Sequence, residues 1–244
     1  MVNAEWRGVK APPPLPPGEI HVWRAAVETN GGPRHEAVLS AAERERLEKF
    51  RAPIDRQRYV TGRGVLRRLL GTYIGRPAHE LQFDTTAAGK PFLVQPAGGI
   101  DIRCNVSHSG DFALLAFALG VEVGVDVEHC RREIDGLELA ARFFAEEEVA
   151  ELRAAGPDVR IERFYTCWTR KEACLKAVGE GLQIELRSFM VGGGEDFRQL
   201  TVPSASREHR HDVQVWSVPM PSGYRAAVAA AAAGPLQPLL LVGP

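Results

Sequence analysis

The sequence predicts an α+β protein made of two similar α/β halves, and three observations predict it. The first is an internal repeat. At an offset of 105 residues, "IHVW" (20–23) lies over "VDVE" (125–128), "SAAERERL" (40–47) over "AEEEVAEL" (145–152), and "RYVT" (58–61) over "RFYT" (163–166). A further echo, "SGDFALLAFA" (109–118) on "SGYRAAVAAA" (222–231), follows at an offset of 113. The second is a shared order of elements: a strand, a helix with an acidic first turn, a longer helix, then closing strands. The third is bulk composition. The chain has 244 residues, 45% hydrophobic and 25% charged, enough apolar surface for one large domain or two small ones. The boundary falls near residue 120, giving a proline-rich arm over 1–18, an N-terminal half over 19–120 and a C-terminal half over 121–244.

Along the chain, "APPPLPP" (11–17) reads as an extended polyproline arm outside the core. The helical region 43–76 carries ten basic and four acidic residues, a balance of +6, whereas 126–151 carries three arginines and nine acids, a balance of −6. Two halves meeting face to face would form a cleft with a basic and an acidic wall, suited to a polyphosphate held through a divalent cation. Charge alone fits two solvated helical faces equally well. "GKP" (89–91) reads as a loop. "NVSHS" (105–109) precedes the apolar strand "FALLAFA", with His108 at a strand–loop junction.

In "GVDVE" (124–128) the period of two puts Asp126 and Glu128 on one face and Val125 and Val127 on the other. Two acids side by side require water, a cation or basic groups between them. "FYTCWTRKEACLKAVGEGL" (164–182) reads as a helix stopped by Gly179 and Gly181, with Glu172 and Lys176 sharing a face. That pair is either a surface ion pair or part of a cluster in which Glu172 joins Asp126 and Glu128 around one Mg²⁺, leaving Lys176 for a phosphate oxygen. Mn²⁺ accepts the same oxygen ligands. Trp168 reads as core, Arg67 and Arg68 as solvated helix face, and Cys167 and Cys174 as packing, since no further ligand completes a zinc set. Gly192–Gly194 read as a turn between strands.

A net charge of −1 excludes a globally basic nucleic-acid binder. Cys104, Cys130, Cys167 and Cys174 form no C-x-x-C pair and no secretory signal precedes them, so a cytoplasmic protein with reduced thiols is expected. No apolar run of about 18 residues suggests a membrane span.

"GVDVE", then "WTRKEACLKAVGEGL" about 40 residues on, preceded by "NVSHS" and "GKP", resemble the 4′-phosphopantetheinyl transferases, in the long pseudo-dimeric, surfactin-synthetase-activating type. The resemblance runs from about residue 20 to 230. It implies halves related by pseudo-twofold symmetry, the first holding the adenine and phosphate end of coenzyme A and the second the Mg²⁺ and the chemistry. It also implies transfer of the phosphopantetheine arm to a serine of an apo-acyl or peptidyl carrier protein of polyketide, nonribosomal-peptide or fatty-acid synthesis, with release of adenosine 3′,5′-bisphosphate. Carried over, Asp126, Glu128 and Glu172 are the metal ligands, with Glu172 a base directly or through water, and Lys176 binds the pyrophosphate. Ser107, His108 and Lys90 hold the coenzyme, as do Arg46 and Arg58, with Arg51 and Arg63 nearby. Where some members carry a further lysine ahead of Arg46 this chain has Glu43, leaving Arg51 to compensate at the 3′-phosphate. One chain enclosing both halves implies a monomer. The competing readings are a non-catalytic coenzyme- or carrier-binding module, and a Mg²⁺-dependent pyrophosphate hydrolase.

Overall fold

A computed structural model describes residues 5–27, 32–86, 89–95, 98–131 and 133–243. The first half contributes β2 (Glu19–Ala26), two short helices, α1 (Pro33–Glu36) and α2 (Ala41–Leu47), then the 22-residue α3 (Pro53–Ile74). A small hairpin, β3 (Phe83–Thr85) and β4 (Pro91–Leu93), leads to the long hairpin β5 (Ile102–Ser109) and β6 (Phe112–Leu119). The second half repeats the series with β7 (Val123–His129), α4 (Gly136–Phe143), α5 (Glu146–Ala154) and another 22-residue helix, α6 (Pro157–Val178). It closes on β8 (Phe197–Pro203), β9 (Arg210–Ser217) and β10 (Tyr224–Ala231).

Both long helices begin with proline at the first turn, where a missing N–H costs nothing. Both end on a left-handed glycine, Gly75 and Gly179. In the first half β2 pairs antiparallel with β6, which pairs with β5. In the second, β7 pairs with β10, which pairs with β9. The acidic first turns matched by the repeat turn out to be buried struts. Glu43 accepts the Ser40 amide in a capping box and ion-pairs with Arg67 at 2.6 Å. Glu148, fully buried, accepts the Ala145, Val191 and Gly192 amides and pairs with Lys171 at 2.8 Å. Arg67 is therefore buried, not a solvated helix face as its sequence context suggests.

The layers are helix, sheet, sheet, helix. Alternate residues of β2, β6, β7 and β10, among them Val22, Leu114, Val125 and Val228, form a core between the sheets. The outer face of the first sheet packs on α3 through Trp23, Leu66 and Phe117, and that of the second on α6 through Cys174, Leu175 and Ala227. Cys167 and Cys174 are packing residues within this last core.

Two features cross the division expected at residue 120. The chain's last strand, β11 (Gln237–Val242), pairs parallel with β2, inside the first sheet. The arm is strapped to it: β1 (Arg7–Gly8) pairs with β11, Trp6 donates its indole N–H to the Pro219 carbonyl, and Leu15 packs against the first core. Strand pairing over such separations leaves no local signal. The glycines 192–194 join a 3₁₀ turn, Leu186–Ser188, to β8 and so do not link two strands.

Candidate active site

Val123, Val125 and Val127 enter the core between the sheets, so Gly124, Asp126 and Glu128 face α6, as the strand period requires. Gly124 sets the spacing. A Cβ there would lie 2.1 Å from the Ala173 carbonyl oxygen and 2.4 Å from the Ala177 nitrogen, so only glycine lets the helix settle on the strand. That approach brings Glu172 and Lys176 over the two acids. Lys176 Nζ donates to Asp126 Oδ1 at 2.6 Å and to the Val125 carbonyl at 3.3 Å. The positive group demanded by the two acids is thus Lys176.

A second strand supports the acids from the other side. Along β5, Asn105, Ser107 and Ser109 project toward β7 and replace missing ladder bonds on its free edge. Asn105 Oδ1 accepts the Val125 amide at 3.0 Å, Ser107 Oγ the Val127 amide at 3.4 Å, and Ser109 Oγ the His129 amide at 3.1 Å. The two hydroxyls also donate to the carboxylates, Ser107 to Asp126 and Ser109 to Glu128, each at 2.9 Å. Asn105 and Ser109 are site residues that the sequence reading missed. The signal was present in "NVSHS", three polar side chains at period two.

The electrostatics mark a crowded acidic site. Burial pushes the Glu128 carboxyl above the ordinary range, and the charge of Asp126 adds to it against the Ser109 hydrogen bond. Glu172 is also pushed up, first by burial, with Lys176 acting downward and Asp126 upward. Asp126 Oδ2, fully enclosed, has no hydrogen-bond partner among the described residues. A buried carboxylate oxygen without a donor is costly unless something positive fills the space. Asp126, Glu128 and Glu172 are close enough to act on one another's charge, and all three offer oxygen, the donor type that a hard divalent cation prefers.

Beside them opens a cleft of about 260 Å³, lined by Lys90, Asn105, Glu172, Lys176, Gly179 and Gly181 among others. Lys90 sits at its edge with three acceptors, Glu122 Oε2 at 2.6 Å and the carbonyls of Val123 and Lys176 at 3.0 and 2.8 Å. Its ammonium ties the start of β7 to the end of α6. His108 points to the other side of β5, toward α3, where a Cβ on Gly62 would meet its ring at 3.9 Å. Its pKa is lowered, by desolvation first and then by the charges of Arg58 and Lys176. His108 therefore stands between the basic helix and the acidic cluster.

The four arginines divide. Arg58, next to His108, donates to the Gly110 carbonyl at 2.9 Å and pairs with Asp55 at 3.1 Å. Arg46 lies over the Tyr59 ring, and Arg51 is exposed. Arg63 turns inward, pairing with Glu43 and stacking 4.2 Å over Phe83. Burial works against the Glu43 carboxylate, but the Ser40 amide, Arg67 and Arg63 together hold its pKa below the ordinary range. Glu43 stands in the basic wall as a structural anion.

Two α/β halves, with Asp126, Glu128, Glu172 and Lys176 on one face of the second and an arginine-rich helix in the first, make up the chain. Residues 122–229 match the model of the 4′-phosphopantetheinyl transferase superfamily, and residues 34–119 match the N-terminal 4′-phosphopantetheinyl transferase model. The chain is 36% identical over 166 residues to the 4′-phosphopantetheinyl transferase HetI of Nostoc sp. strain PCC 7120, covering 67% of this chain and 70% of the relative. It is 29% identical to the 4′-phosphopantetheinyl transferase Sfp of Bacillus subtilis strain 168, covering 81% and 84%. To the enzyme psf-1 of Bacillus pumilus it is 31% identical, covering 74% of each. The chain belongs to the 4′-phosphopantetheinyl transferase family.

Proposed function

We propose that the chain moves the 4′-phosphopantetheine arm of coenzyme A onto a serine of an apo-acyl or peptidyl carrier protein, at the face of β7 and α6 just described. The observation that carries the site is Asp126, whose second oxygen is buried without a donor beside Glu128 and Glu172. Asp126, Glu128 and Glu172 fit one Mg²⁺, or Mn²⁺ in its place, with sites left over for pyrophosphate oxygens and water. Bound there, the ion supplies charge neutralisation to the pyrophosphate and orients its departing half.

Phosphoryl transfer needs positioning and charge compensation more than covalent help. Ser107 and Ser109 fix the two strand carboxylates through their Oγ atoms. Lys176 brings a point charge to the phosphates and Arg58 extends that positive field along the cleft, while His108, whose pKa burial lowers, offers a neutral ring for hydrogen bonding. Arg46 and Arg51, on the basic wall, meet the coenzyme's far end. Lys90, with its three protein acceptors, contributes by holding the cleft wall, and Arg63 by neutralising Glu43. Glu172 takes the serine proton: burial raises its affinity for a proton, which suits a general base. The proton passes to Glu172, the serine oxygen bonds to the β-phosphorus, and the bond to adenosine 3′,5′-bisphosphate breaks.

The pairing of like elements in each half supports a pseudo-twofold relation between them. The chain works as a monomer, since one polypeptide supplies both walls. It is read as cytoplasmic, acting on neither nucleic acid nor membrane. Among the described residues no helix is long and apolar enough to cross a membrane. The test is incubation with coenzyme A, Mg²⁺ and an apo-carrier protein, followed by intact mass. A carrier heavier by one phosphopantetheine is expected. Coenzyme breakdown without a heavier carrier, or no change with several carriers, overturns the reading.

A further inference from the structure

Away from the acidic face, a second group of metal-ligating side chains gathers where α6 ends. Glu180 follows the left-handed Gly179 that stops the helix, while His209 immediately precedes β9 and His211 is its second residue. Alternate residues of a strand project to one side, so the two imidazoles come side by side, with ring centres 4.8 Å apart. One ligand atom from each of the three residues lies within 4.8 Å of the others. The carboxylate is oriented from outside the group: Glu180 Oε2 accepts the Ala205 amide at 2.5 Å, and Oε1 lies 2.9 Å from His211 Nε2. Such outer support for a ligating carboxylate is a regular feature of metal sites. His209 is exposed, and its ring nitrogens take no protein hydrogen bond among the described residues. One imidazole is thus held in place and the other is free to swing.

We infer that Glu180, His209 and His211 bind one divalent transition-metal ion of the Zn²⁺ class, distinct from the Mg²⁺ site. Two imidazole nitrogens and one carboxylate suit Zn²⁺ or Co²⁺ and disfavour Mg²⁺, which prefers an all-oxygen shell. At metal–ligand distances near 2.0–2.1 Å, tetrahedral ligands lie about 3.4 Å apart, so modest ring rotation, chiefly of His209, closes the set. The exposure of His209 leaves the group open to solvent. The bound ion ties the loop after α6 to the turn between β8 and β9. Gly179 and Gly181, on either side of Glu180, line the same cleft as Glu172 and Lys176, so the tie fixes the end of the helix that carries them.

The full chain is titrated with Co²⁺ in excess Mg²⁺, which occupies the carboxylate face, and followed by visible absorption and calorimetry. One Co²⁺ per chain with tetrahedral-type absorption, displaced by Zn²⁺, is expected, and Zn²⁺ should raise the Tm. His209→Ala should weaken binding by roughly 10–100-fold, a loss that removing even a ligand's supporting partner can bring. His211→Ala and Glu180→Gln should do the same, whereas Asp126→Asn should leave this binding intact. Because the His209 ring makes no protein hydrogen bond among the described residues, its variant keeps the test open if either of the others fails to fold. No Co²⁺ uptake above Mg²⁺, or uptake unchanged in His209→Ala, overturns the inference and leaves Glu180–His211 a simple ion pair.

Discussion

Helix α3 meets its strand across His21 and Trp23, whereas α6 meets its strand across Gly124 and Asp126. In the first half the space is filled. The Tyr73 hydroxyl lies 2.7 Å from His21 Nδ1 and 2.9 Å from the Trp23 indole nitrogen, closing a neutral aromatic cluster. Desolvation depresses the His21 pKa, keeping the ring uncharged there. In the second half a glycine draws the helix close and leaves carboxylates with one oxygen unpartnered. The scaffolds match down to the strut, a buried glutamate on a short helix paired with a base on a long one. The difference teaches that the acids are not required by this architecture. One copy of the framework is finished as core, and the other is left open at the place where the proposed ion and phosphate would bind.

The sharpest way to break this contrast is at the acids. Asp126→Asn keeps the side chain's shape while removing its charge, so kcat/KM for carrier modification should fall by about 10³-fold or more, the equivalent of several kcal/mol of charge stabilisation. Chemical denaturation of the variant should remain close to wild type. The struts should behave oppositely. Glu148→Ala and Glu43→Ala each leave a buried base unpaired and should cost about 3–5 kcal/mol of stability by denaturant titration. The Glu43 case carries a pH signature. Its folded pKa lies below the unfolded value, so its stabilisation is complete above the ordinary carboxylate range and is lost as pH falls through the lowered value. Glu43→Gln should lack that loss on the acid side of a stability–pH curve.

Smaller changes probe how the second half was opened. Gly124→Ala drives a methyl into the backbone of α6, and stability should drop by roughly 1–3 kcal/mol, with activity falling further as Glu172 and Lys176 shift from Asp126. Ser107→Ala removes a hydrogen bond that aims Asp126, together with a cap on the Val127 amide. It should raise the Mg²⁺ concentration needed for half-maximal rate by roughly 10–100-fold. Rescue at high Mg²⁺ separates this positioning role from a direct contact with coenzyme.

Much of this was legible in the sequence, because it is written in local periodicity. The period of two in "GVDVE" puts the acids on one face, and the 3.6 period places Glu172 and Lys176 one turn apart. The offset of 105 located the paired struts Glu43 and Glu148, though not what they do. What stayed hidden depends on long-range contact. Nothing near Arg67 distinguishes it from its neighbour Arg68, yet Glu43 and the carbonyls of Ala78 and Leu81 make it a buried residue. "GKP" gives no hint that the Lys90 ammonium is consumed by Glu122 and two carbonyls. The placement of β11 in the first sheet is a pairing across most of the chain. Ser109 and Asn105 were in view within a quoted motif, but their partners are backbone amides of another sheet, which no residue type announces.

The central claim is that the carboxylate face of the second half is the ion-binding centre of the transfer reaction. Mn²⁺ binding followed by electron paramagnetic resonance, with coenzyme A present, tests it most directly. One tightly held Mn²⁺ per chain is expected in the wild type, lost in Asp126→Asn and Glu172→Gln and retained in the folded variant His209→Ala. Equal Mn²⁺ binding by wild type and Asp126→Asn would contradict it.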